Sequence, residues 1–114
     1  MTIDQLTEII KTADQKTITK RLRELGYTYC NKHKTLSKVG IVELVNANKY
    51  QTEDFVDEQH MRLYSGRICG TIQGYETYEF VYVNIYDIKP STDPFDDEEI
   101  AMQTEMHIWA KEIS

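Results

Sequence analysis

From Tyr78 to Ile88 the chain reads Tyr-Glu-Phe-Val-Tyr-Val-Asn-Ile-Tyr-Asp-Ile, and few backbone conformations suit such a run. Aromatic and β-branched side chains pack well on a pleated surface. In an extended chain Tyr78, Phe80, Tyr82, Tyr86 and Ile88 share one face, and Val81, Val83 and Ile85 lie on the other. Apolar groups on both faces predict a central strand covered on both sides. Pro90 ends it, because it has no N–H to donate. Upstream, Met61, Leu63 and Ile68, with Gly66 and Gly70 among them, predict a second strand with a bulge or bend, and Gly74 marks a turn.

The flanking segments are less definite. Ile41 to Val45 suits either a strand or the start of a helix, and Asn46 to Asn48 reads as a turn. Thr52 to Gln59 is acidic, with Phe55 and Val56 as its apolar anchors, and is expected to be a short helix or loop. After a linker at Ser91 to Pro94, with Asp93 as N-cap and Pro94 at the first helical position, Met102, Met106, Trp109 and Ile113 recur at helical spacing. The acidic opening Asp96-Asp97-Glu98-Glu99 suits the positive end of a helix dipole, so a C-terminal helix is expected. A strand is the fallback, since Ile100, Met102, Met106 and Ile108 also suit alternation.

At the N-terminus, Thr2 with Gln5 three residues on forms a capping box for a helix carrying Ile3, Leu6, Ile9 and Ile10 and ending near Thr12. Asp14 is placed to cap a second helix, from about Lys16 to Leu25. At about 100° per residue, Ile18, Leu22 and Leu25 make an apolar stripe. Lys16, Lys20 and Arg23 fall on the opposite side, pointing outward. Gly26 stands where a helix C-cap favours positive φ. Then come a β-like run at Tyr27-Thr28-Tyr29, a basic turn at Lys32-His33-Lys34, and Leu36 to Val39.

Two helices followed by a small hairpin with a cationic tip is the order of a winged helix-turn-helix. Residues 1–40 resemble the winged-helix modules common in bacteriophage and mobile-element proteins, above all in the run Thr17-Ile18-Thr19-Lys20-Arg21-Leu22-Arg23-Glu24-Leu25-Gly26-Tyr27. The resemblance covers about a third of the chain and implies nucleic-acid binding, although such modules also serve as protein docking units. The expected fold is therefore α+β: an N-terminal winged helix-turn-helix, then a small antiparallel sheet and a C-terminal helix. Residues 1–45 would be the basic helix-turn-helix portion and 46–114 an acidic α/β portion packed on it, the two also compatible with a single compact domain.

Charge supports that division. Residues 1–40 carry a net +4 and residues 41–114 a net −10, together the −6 of the whole chain. The basic part suits phosphates, while the acidic part is repelled by them and looks to another partner. One domain is what 114 residues allow. No apolar run reaches the ~18–20 residues of a membrane span and no signal-peptide core stands at the N-terminus, so no membrane partner is expected and a cytoplasmic location is the default. Cys30 and Cys69 have no Cys-x-x-Cys partner and read as reduced, half-buried residues.

Catalytic signatures are missing from the sequence. His33, His60 and His107 are isolated, so no metal site is expected, and no phosphate-cradling glycine loop implies a nucleotide cofactor. A Cys69–His60 thiol–imidazole pair is the one nucleophilic arrangement to test, and an enzyme is not expected. Tyr78, Tyr82 and Tyr86 would stack bases on an exposed sheet, but the carboxylates of Glu76, Glu79 and Asp87 around them favour packing or protein contact.

The reading that follows is a small non-enzymatic nucleic-acid-binding accessory or regulatory protein of a phage or mobile element. Lys16, Lys20, Arg23, Lys32, His33 and Lys34 would contact phosphates, with Thr17, Thr19 and Arg21 nearer base edges. Its partners would be DNA, a replication enzyme or nuclease, and a second copy of the chain, since a helix-turn-helix on a duplex operator usually works as a dimer. The alternative is a phage-type inhibitor, anti-CRISPR or anti-restriction, that mimics DNA with Asp93, Asp96, Asp97, Glu98, Glu99 and Glu105. In that reading Glu53, Asp54, Asp57 and Glu58 extend the mimic surface.

Overall fold

Local chemistry sets the two N-terminal helices. In α1 (Ile3–Ile10) the Thr2 hydroxyl accepts the Gln5 backbone N–H while the Gln5 side chain accepts the Thr2 N–H, the reciprocal capping box its sequence predicts. Helix α2 (Gln15–Glu24) follows Asp14, whose carboxylate accepts the Thr17 hydroxyl at 2.7 Å instead of a backbone N–H. Gly26, at φ +92°, ends α2: its N–H bonds the Arg23 carbonyl and the next N–H, of Tyr27, reaches back to Leu22. The structure, a computed structural model, describes residues 1–12, 14–29, 48–69, 74, 76–90, 95 and 99–113.

The described strands are β1 (Thr28–Tyr29), β2 (Asn48–Gln51), β3 (Phe55–Asp57), β4 (Arg62–Cys69), β5 (Tyr78–Pro90) and β6 (Glu99–Glu112). They form one antiparallel sheet in the order β1-β6-β5-β4-β2, with β3 also on β4. Strand β5 is central, as its two apolar faces require, and ends at Pro90. On one face Val81, Val83 and Ile85 join Tyr64, Ile68 and Trp109 beneath Leu6, Ile9, Ile10, Ile18 and Leu22 of the helices. On the other, Phe80, Tyr82, Cys69 and Ile108 form a second buried cluster.

Strands β2 and β3 line the same edge of β4, and Thr52 joins them. Its backbone N–H donates to the Gly66 carbonyl at 2.9 Å, and its buried hydroxyl accepts the Gly66 N–H at 2.7 Å. The side chain thus serves a backbone donor of β4 just past the end of β2, where the β2 ladder has stopped. Gly66 also lets α1 settle onto the sheet, since a Cβ there would stand 3.1 Å from Leu6 and Ile10 side-chain carbons.

These observations correct the expected fold class. The protein is mainly an antiparallel sheet with two N-terminal helices, and neither a winged helix-turn-helix nor a C-terminal helix is its frame. The segment expected to be helical is β6, paired with β5 from Tyr78↔Glu112 to Pro90↔Glu99. A helix there would leave the edge of an apolar central strand open, and pairing outweighs the local acidic-start signal. The Tyr27–Tyr29 run contributes β1, whose described partners are Ala110 and Trp109 of β6. Lys32, His33, Lys34 and Leu36 to Val39 lie outside the described residues, as do Cys30, Ile41 to Val45, Gly70 and the linker at Ser91 to Pro94. The acidic Thr52–Gln59 stretch contains β3, neither helix nor plain loop. Among the described residues no helix is long and apolar enough to cross a membrane.

Candidate nucleic-acid interface

Helix α2 lies on the sheet through Ile18 and Leu22, which are fully buried. That orientation follows from the apolar stripe and turns the opposite side of the helix outward. Lys16, Thr19, Lys20 and Arg23 then line an open groove of about 1040 Å³, together with Gln15, His60, Arg62 and Tyr64. Asp14 and Glu24 add carboxylates from either end of α2. The groove thus sets four permanent cations, Lys16, Lys20, Arg23 and Arg62, against two carboxylates.

The cations differ in how they are held. Among the described residues, Lys16 and Lys20 are exposed and make no ion pair. The Arg23 guanidinium stands 5.9 Å from the centroid of the Trp109 ring, a cation–π contact that positions it, and no described carboxylate pairs with it. On the facing wall, Arg62 donates to Gln15 Oε1 at 2.8 Å, bridging sheet and helix, and meets Asp87 at 3.4 Å and Glu105 at 3.8 Å. His60 Nδ1 lies 2.6 Å from Asp57 Oδ2, and this hydrogen bond holds the Asp57 carboxyl below its ordinary range. Tyr64 is buried at the base, and burial pushes its phenol up. Lysine, guanidinium and hydroxyl donors in this arrangement can surround an oxyanion.

Of the sequence-predicted contacts, the structure brings together Lys16, Thr19, Lys20 and Arg23. It does not add Thr17, whose hydroxyl is engaged by Asp14, or Arg21, which is exposed away from the groove. Gln15, His60, Arg62 and Tyr64 escaped sequence reasoning. The available signal was an arginine two residues after a histidine, in residues 41–114 with only five Lys/Arg. Of the acidic set, Asp93, Asp96, Asp97 and Glu98 lie outside the described residues, and Glu99 is exposed at the start of β6. Glu105 turns to Arg62 and to His107, 3.4 Å away.

His60 lies in the turn before β4 and Cys69 at the strand's far end, and β4 alone spans roughly 23 Å by strand rise, so the thiol–imidazole pair does not form. Among the described residues no group of three or more ligating side chains is placed to hold a metal. Of the three tyrosines, Tyr82 is buried and Tyr86 half-buried in the sheet, as packing requires, while Tyr78 is exposed at the start of β5. Comparison with protein-family models, curated proteins and solved structures finds no match.

Proposed function

We propose that the protein is a small non-enzymatic nucleic-acid-binding accessory or regulatory protein, acting in the cytoplasm of a cell that hosts a phage or mobile element. One observation carries this reading: among the described residues Lys16, Lys20 and Arg23 make no ion pair and line one groove, and Arg62 closes its far wall. Seven residues of helix separate Lys16 from Arg23, about 10 Å of axial rise, which lets the three cations follow a phosphate backbone. The net negative remainder repels nucleic acid elsewhere and confines contact to this surface. The inhibitor reading ranks second, because Glu105 is already engaged by Arg62 and His107.

The test is fluorescence anisotropy of labelled single-stranded and duplex DNA, and of RNA, at about 50 and 200 mM salt. Three phosphate contacts give a log–log salt slope of about −2 to −2.7, roughly a 20- to 40-fold loss of affinity over that range. Lys20→Ala reduces the slope by about 0.7–0.9, whereas Arg21→Ala, outside the groove, leaves it unchanged. Absence of binding at low salt, or a slope indifferent to Lys20→Ala, overturns the reading.

A further inference from the structure

The sheet face away from the helices carries a second pocket, of about 540 Å³, between β4, β5 and β6. Arg67 enters it with its guanidinium 5.3 Å from the Tyr82 ring centroid. Among the described residues no carboxylate pairs with Arg67 and its buried Nε finds no acceptor. A half-buried guanidinium stays charged at any physiological pH, and leaving it without a counter-charge is unfavourable. Glu105 also lines the pocket, but its two oxygens are directed to Arg62 and His107.

The neighbours of Arg67 have donors to offer. Asn84 is 1% exposed, and its Oδ1 accepts from Gln103 Nε2, which leaves the Asn84 amide nitrogen to donate elsewhere. Opposite Asn84 in the ladder, Ser65 holds a buried hydroxyl without a partner among the described residues. A positive charge and spare donors on one face call for an acceptor that brings negative charge.

We propose that this pocket is a binding site for an oxyanion, the carboxylate or phosphoryl group of a small ligand, held by the Arg67 guanidinium and the Asn84 amide. Its volume falls in the range of small-molecule sites. The site lies on the opposite face from the α2 groove and does not depend on the nucleic-acid reading.

NMR titration of the intact chain with sodium phosphate, and separately with sodium acetate, tests the proposal at ionic strength held constant with sodium chloride. The Arg67 Nε–H and Asn84 side-chain amide resonances are expected to shift saturably in the millimolar range. Saturation by phosphate alone identifies a phosphoryl ligand, by acetate alone a carboxylate, and by both a general oxyanion site. Arg67→Gln removes the saturable phase, while Lys16→Ala/Lys20→Ala, which alters only the groove beside α2, leaves it intact. Linear shifts with both anions overturn the proposal, as do saturable shifts that persist in Arg67→Gln. If Arg67→Gln fails to fold, the wild-type titration decides, because the shifts are read residue by residue.

Discussion

Replacing Thr52 by valine removes one oxygen from the sheet edge and almost no volume. The Thr52 hydroxyl is the described acceptor of the Gly66 N–H, at 2.7 Å, and the residue is 4% exposed, so water does not readily take its place. The Gly66 carbonyl loses the hydroxyl bond it accepts at 3.2 Å but keeps the Thr52 N–H, so the Gly66 N–H is the one group left orphaned. A buried unpaired donor costs about 1–3 kcal/mol. For 114 residues the unfolding entropy is about 240 cal/mol/K, so each kcal/mol lowers Tm by about 4 °C. Thr52→Val is therefore expected to lower Tm by about 4–12 °C. Thr52→Ser keeps the oxygen, loses one methyl, and costs about 0.8 kcal/mol, roughly 3 °C. Calorimetry gives the ordering, and hydrogen exchange at the Gly66 amide reports the bond itself, fast in valine and protected in serine. If shape alone mattered the order would invert, because valine fills the site and serine does not. Valine more stable than serine, with Gly66 still protected, refutes the reasoning.

Other consequences follow from the same packing. Gly66→Ala places a Cβ 3.1 Å from Leu6 and Ile10 side-chain carbons and is expected to cost about 1–3 kcal/mol by urea denaturation. Burial, aided by Glu79, raises the Tyr27 phenol, and burial raises that of Tyr64. Both rings stay protonated in the fold after the unfolded chain begins to ionise near pH 10, so their contribution is full below that pH and is lost as pH climbs through the folded values. Tyr27→Phe and Tyr64→Phe are expected to flatten the stability decline above pH 10, measured by denaturant midpoints. The single tryptophan, Trp109, is buried, so its emission should be blue-shifted and poorly quenched by iodide. Because Arg23 stands over that ring, nucleic acid entering the groove is expected to change the emission in wild type and not in Arg23→Ala.

What could be read before the structure was governed by neighbours in the chain. The capping box at Thr2, the positive-φ Gly26 and the cationic side of α2 all depend on residues within one or two turns, and all three appear as their local chemistry demands. Strand β5 was equally plain, since apolar groups on both faces admit few alternatives. The last segment was not, because Met102, Met106 and Trp109 fit a helix while Met106 and Ile108 fit a strand, and only the exposed edge of β5 decides between them. The far wall of the groove was hidden for a related reason. His60, Arg62 and Tyr64 reach α2 by way of the sheet, about forty residues downstream, and periodicity does not record such an encounter.

The ladder between β1 and β6 sets Thr28 against Ala110 and Tyr29 against Trp109. Strand partners so remote in sequence give a high contact order, which places folding on the millisecond-to-second scale. During synthesis α1 and α2 emerge well before Trp109, the ring that completes their apolar bed. Until it arrives, Leu6, Ile18 and Leu22 have no finished surface to cover them, and a nascent chain halted short of β6 is a natural client for a chaperone.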